Sequence, residues 1–182
     1  MISIDLVKKF LPQILIGLSP LVIGFSTSKL CEMPKSDHLK IQPPGWVFGV
    51  VWTFMYLVMG LLVLNVIKRL RIENNLGVRD DYLEKFEKVF LLTLLVIHCI
   101  LIFLWPYVFS CKKKPKAALF ILFGASITGI MLLITSLLGG YMKNYTFPHD
   151  LLSYLLVPYN CWLVFAMLLN VEYVQETTKE DT

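Results

Sequence analysis

Charge is scarce in this sequence, and its scarcity is uneven. Only 16 % of the 182 residues are Asp, Glu, Lys or Arg, against 57 % hydrophobic residues, and the mean hydropathy is +0.68. Soluble domains carry about 25 % charged residues, so this is a membrane protein. The length suits one domain of about 100 to 200 residues, which excludes a separate soluble catalytic domain. Cysteine is sparse as well. Cys31, Cys99, Cys111 and Cys161 form no Cys-x-x-Cys pair, and two of them lie inside apolar stretches, so neither a disulfide framework nor a zinc site is expected. The 17 basic and 13 acidic residues leave a formal net charge of +4. The bases lie in short connections between apolar blocks, where lipid headgroups are their natural neighbours rather than nucleic acid.

Five runs contain no Asp, Glu, Lys or Arg: Phe10 to Ser28, Pro43 to Ile67, Val89 to Cys111, Ala117 to Met142 and Leu151 to Val171. About 20 residues at roughly 1.5 Å rise cross a hydrocarbon core of about 30 Å, and these runs hold 19, 25, 23, 26 and 21 residues. The expected fold is an all-α membrane protein, a single five-transmembrane-helix bundle over residues 1–182. Barrel strands would be about half that length, with alternating polarity. Lys8 and Lys9 ahead of the first run resemble the start of a signal peptide. That run, however, is long for a signal core, contains Pro12 and Pro20, and has no Ala-x-Ala site before Lys29, so a retained helix is expected. The alternating charges from Lys68 to Lys88 read as a solvated connector. Orientation stays open, because alternate faces of the bundle would carry nine and eight Lys or Arg residues.

Without an acid or base in these runs, no carboxylate pair, proton relay or Ser-His-Asp arrangement can be assembled in the bilayer. No catalytic residue, metal or other cofactor is therefore expected. His98 is the one strongly titratable group within a run. It reads either as a ligand-contacting group or as a neutral imidazole bonded between helices, since His38 and His149 fall in or beside loops. At helical spacing, His98, Ile102, Trp105 and Phe109 share a face of the third run. Tyr154, Pro158, Trp162, Phe165 and Leu169 share one of the fifth, and Trp52, Tyr56 and Met59 belong to the second. Three aromatic faces on separate helices can enclose a flat apolar pocket, or they can be plain packing. Trp46 suits an interface anchor. Gly124 and Ala125-xxx-Gly129 permit close helix approach in the fourth run.

The stretch from Pro43 to Gly60, PPGWVFGVVWTFMYLVMG, resembles the hallmark of the translocator protein family, also called tryptophan-rich sensory proteins or peripheral benzodiazepine receptors. Trp105-Pro106 followed by Phe109 is similar to the family's third-helix WxxxF block. The stretch from Pro158 to Ala166 with Leu169-Asn170 is similar to its fifth-helix PYxxWxxFAxxLN, and Pro20 and Gly24 suit its first helix. All five runs are covered, the fourth mainly by position.

The resemblance implies a bundle that binds tetrapyrroles such as protoporphyrin or haem, or cholesterol-like lipids, for transport or sensing. It implies pocket-wall roles for Phe48, Gly49 and Trp52, for Trp105, and for Trp162, Ala166 and Leu169, to which the helical faces add Tyr56 and His98 as candidate ligand contacts. Stacking and apolar burial at about 25 cal/mol per Å² suit a planar apolar ligand. The family's QLxLN before the third-helix tryptophan is replaced here by His98-Cys99-Ile100-Leu101-Ile102. The first loop lacks KPxW, and a dimer-contact glycine pair is replaced by Thr93 and Ile97, so a homodimer would use another face. Leu169, Tyr173 and Lys179 satisfy the loose sterol pattern L-x3-Y-x5-K. Two alternatives accompany this reading: an enzyme that degrades porphyrin oxidatively through Trp52 and Trp162, and a structural membrane scaffold. The resemblance places such a protein in the mitochondrial outer membrane of a eukaryote or the cell envelope of a bacterium.

Overall fold

The computed structural model describes residues 4–31, 42–75, 82–142 and 149–180, with side chains over 11–26, 31, 42–67, 86, 89–137 and 154–179. The first-loop segment around His38 lies outside the described residues, as do the middle of the second connector and the side chain of His149. Five long helices account for nearly all of the rest: α1 (Ile4–Leu30), α2 (Gly45–Asn75), α3 (Tyr82–Pro106), α4 (Pro115–Met142) and α5 (His149–Glu180). A five-residue π-helical turn, Tyr107–Cys111, prolongs α3.

Prolines mark the helix ends. Pro43 and Pro44 disfavour helix before α2, and the Pro44 carbonyl then accepts from the Val47 N–H at 2.9 Å to open it. At the far end of α3, Pro106 has no N–H to return to the preceding turn. The chain widens there: Lys112 N–H donates to the Tyr107 carbonyl and Lys114 N–H to that of Val108, both at 3.2 Å. Lys113 takes a left-handed φ of 49°, which reverses the chain. Pro115 then occupies the first position of α4, where its fixed φ suits a helix start.

Among the described residues, four stretches are long and apolar enough to cross a membrane: Gly45–Ile67, Val89–Cys111, Pro115–Leu137 and Tyr154–Lys179. The apolar part of α1, Leu11–Ser26, is shorter. The outward faces confirm the solvent. Phe120 is 77 % exposed, and Phe123, Ile127 and Ile130 follow it on the same side of α4. Such a stripe is at home only in hydrocarbon.

The helices close into a ring in the order α1, α2, α5, α4, α3, and α3 returns to α1. Around it the packing is unequal. α4 packs extensively on α3 and α5, and α1 on α2, whereas the α1–α3 seam is thin. Glycine sets the α1–α2 approach: a Cβ on Gly60 would overlap the Gly17 carbonyl, and one on Gly24 would overlap the Tyr56 ring. The buried core runs through Met55, Met59, Ile102, Leu122, Leu156 and Leu163.

Candidate functional site

An aromatic cavity of about 180 Å³ opens between α1, α2 and the end of α3. From α2, Phe48, Gly49, Trp52, Thr53 and Tyr56 face it at successive turns. Trp105, Pro106 and Ser110 form a second wall, while Gly24, Phe25 and Cys31 form the third. The rings of its walls are stacked: Trp52 lies on Trp105 at 5.2 Å and 20°, and Tyr56 on Phe103 at 5.9 Å and 13°. The series continues outward from Trp105 to Phe109 at 5.6 Å and edge-on to Tyr173 at 5.2 Å.

The two stacked indoles differ in their hydrogen bonds. Trp105 Nε1 donates to Asn170 Oδ1 at 3.4 Å, and Asn170 Nδ2 donates to the Pro115 carbonyl at 3.0 Å, tying α3, α4 and α5 together. Trp52 Nε1 is buried with no acceptor, although its side chain borders the cavity. Burying such a donor unpaired costs about 1–3 kcal/mol. A ligand acceptor in the cavity would remove that cost.

His98 belongs elsewhere. It is fully buried among α3, α4 and α5 with both ring nitrogens engaged, Nδ1 with Thr128 Oγ1 at 2.8 Å and Nε2 with Tyr159 Oη at 2.7 Å. The Thr128 hydroxyl points its proton at the Gly124 and Ala125 carbonyls, both at 3.0 Å. It therefore accepts from Nδ1–H, leaving Nε2 to accept from the Tyr159 hydroxyl. Gly129 lets this cluster close, since a Cβ there would stand 2.6 Å from Asn160 Oδ1 and 3.2 Å from His98 Cε1.

Of the residues assigned from the sequence, Phe48, Gly49, Trp52, Tyr56 and Trp105 meet around the cavity. His98, Trp162, Ala166 and Leu169 are outside its wall. Ala166 and Leu169 are buried in the bundle. Trp162 reaches the site only through Phe48, edge-on at 5.9 Å, and its own Nε1 is buried without an acceptor. Along that face of α5, Tyr154 and Pro158 are exposed, Trp162 and Phe165 are half-buried, and Leu169 is buried, and none of the five lines this cavity. In the sterol pattern, Leu169 is buried and Tyr173 rests against Phe109. Lys179 pairs with Glu176 at 2.8 Å on the exposed end of α5.

The expectation of no disulfide requires correction. Cys31 and Cys111 are joined, with Cα atoms 5.1 Å apart across a sequence separation of 80. Each ends a helical segment on the same side of the bundle, so no local spacing announces the pair. Cys99 and Cys161 are free. Sequence reasoning had also left Phe25, Thr53 and Ser110 out of the site. Thr53 stands inside the motif beside Trp52, whereas the other two carry no signal apart from the fold.

Comparison with known proteins agrees with the aromatic motifs. The model of the TspO/MBR family matches residues 11–175. Two relatives carry the name tryptophan-rich protein TspO. The one from Chlorobaculum tepidum is 29 % identical over 168 residues, 88 % of this chain and 91 % of its own. The one from Archaeoglobus fulgidus is 27 % identical over 128 residues, 70 % of this chain and 68 % of its own. With a match that extends from α1 to the outer part of α5 and a helical membrane bundle beneath it, the chain belongs to the TspO/MBR family.

Proposed function

We propose that this protein binds a planar, apolar ligand bearing a hydrogen-bond acceptor, a tetrapyrrole such as protoporphyrin or haem or a cholesterol-like lipid, and that it transports or senses that ligand in the membrane. The observation that carries this reading is the buried, unpartnered Nε1 of Trp52 in the wall of an aromatic cavity. Stacked rings offer flat apolar surface, and a porphyrin carboxylate or a sterol hydroxyl supplies the acceptor that Trp52 lacks. All five helices cross the bilayer in this reading, α1 included. Its support is the charge-free run from Phe10 to Ser28 and the tie between the end of α1 and the end of α3. Family membership supports a mitochondrial outer membrane location in a eukaryote and an envelope location in a bacterium. A homodimer would form through the lipid-facing helices.

The test is a titration of the detergent-solubilised protein with protoporphyrin IX and, in parallel, cholesterol, read by thermal stability and tryptophan fluorescence. Saturable stabilisation by at least one of them, weakened in Trp52→Phe, supports the reading. Equal melting temperatures with and without both ligands reject it. Progressive loss of porphyrin absorbance during the titration would favour the oxidative enzyme.

A further inference from the structure

The Cys31–Cys111 disulfide stands at the cavity. Cys31 is in the cavity wall, and Ser110, the neighbour of Cys111, faces it from the opposite side. The bond joins the end of α1 to the π-helical turn after α3, across the seam where the two helices touch least. Otherwise α1 is held mainly by α2, where Gly17 and Gly24 allow close approach. One covalent bond therefore closes the ring of helices at its weakest joint, beside the proposed site.

Size gives that closure a meaning. The cavity measures about 180 Å³, below the roughly 300–1,000 Å³ of clefts that hold drug-sized ligands. A macrocycle fits only if a wall moves, and the α1–α3 seam is thinly packed compared with α1–α2. The π-helical turn, a form that recurs at functional sites, delivers Cys111 to the joint. Both sulfurs belong to half-buried residues, within reach of a small thiol. The free cysteines are placed otherwise: Cys99 lies against Met59 Sδ at 3.7 Å in the bundle, and Cys161 is on the outer face of α5.

We propose that Cys31 and Cys111 form a thiol–disulfide exchange site that latches the cavity, shut when oxidised and free to widen when reduced by low-molecular-weight thiols. The identity of the admitted ligand rests on the reading given under Proposed function. A small thiolate attacks one sulfur, the S–S bond breaks, and the departing cysteine thiolate takes a proton. A second small thiol resolves the mixed disulfide. In sum, one protein disulfide and two small thiols become two protein thiols and one small disulfide, with two electrons transferred to the protein.

The experiment uses the full chain in lipid nanodiscs, with exposed Trp46 replaced (Trp46→Phe) so that acrylamide quenching reports the buried indoles. Four samples are compared: oxidised, reduced with a phosphine, Cys31→Ser/Cys111→Ser, and Cys99→Ser/Cys161→Ser before and after reduction. Reduction, and the Cys31→Ser/Cys111→Ser pair, should raise the quenching constant about threefold and speed protoporphyrin IX association about tenfold, as expected when a scarce open state becomes dominant. The Cys99→Ser/Cys161→Ser protein should keep the full response. An unchanged quenching constant on reduction overturns the latch. So does loss of helical circular dichroism on reduction, which would make the bond a structural staple, and so does a thiol titration finding four free cysteines in the oxidised sample. Quenching that rises while porphyrin binds in neither state supports the latch and rejects only the ligand reading.

Discussion

The two sides of the bundle hold their central buried rings differently. Between α3, α4 and α5, His98 has a partner on each ring nitrogen, and the threonine and tyrosine hydroxyls complete the circuit. Between α1, α2 and α3, Trp52 keeps a buried donor unpaired beside an open cavity. On the first side His98, Thr128 and Tyr159 satisfy one another within the chain, although Asn160 Oδ1 beside them has no donor, and Gly129 allows the helices close enough for that circuit. On the second side a cavity stands beside the unpaired donor. A histidine in a membrane span attracts a functional reading, yet here the imidazole is bonded on both nitrogens within the bundle, and the unpaired donor in the cavity wall belongs to an indole.

Substitutions can break this contrast, the most damaging being Gly60→Val. Its Cβ would meet the Gly17 carbonyl, and with backbone on both sides only separation of α1 from α2 relieves the overlap. A loss of about 3 kcal/mol is expected, seen as a lowered midpoint in thermal unfolding in detergent. Next comes His98→Leu, which strands the Tyr159 hydroxyl in the dense half. It should cost about 2 kcal/mol, part of which His98→Leu/Tyr159→Phe recovers by removing both partners. Porphyrin affinity should not change in either, because neither residue borders the cavity; a fall in affinity would join the two halves functionally.

Trp52→Phe sharpens the contrast from the open side. Stability without ligand should hold or rise slightly as an unpaired donor disappears, while protoporphyrin affinity falls roughly tenfold, about 1.4 kcal/mol. Isothermal titration beside a thermal melt would separate the two effects. The smallest change is expected for Lys179→Ala at the exposed end of α5, where Lys179 pairs with Glu176. Below about 0.5 kcal/mol in stability is expected, and unchanged cholesterol binding would retire the sterol pattern on α5.

The helices were legible because charge interrupts them so rarely: α2 begins after Pro43-Pro44, and α4 begins at Pro115, just past Lys112, Lys113 and Lys114. On α2, the residues read as pocket wall, Phe48, Gly49, Trp52 and Tyr56, do meet around one cavity. On α5, the aromatic face was legible, but its direction was not. Trp162, Ala166 and Leu169 lie at helical spacing, and only the angle at which α5 meets its neighbours decides whether they border a cavity or a helix. The π-helical turn was invisible because hydropathy does not distinguish hydrogen bonds that reach five residues from those that reach four. The disulfide was hidden for a related reason. Cys31 and Cys111 are 80 residues apart, and their meeting depends on which helix ends share a face of the bundle.

The run of ring contacts from Tyr56 through Trp52 and Trp105 to Phe109 and Tyr173 also gives the molecule an optical handle. Two indoles 5.2 Å apart and 20° from parallel couple their transition dipoles, so they absorb as a chiral pair rather than as independent chromophores. The near-ultraviolet dichroism of the protein should therefore be dominated by Trp52 and Trp105. A guest sliding between or beside them would rewrite that signal without any label attached.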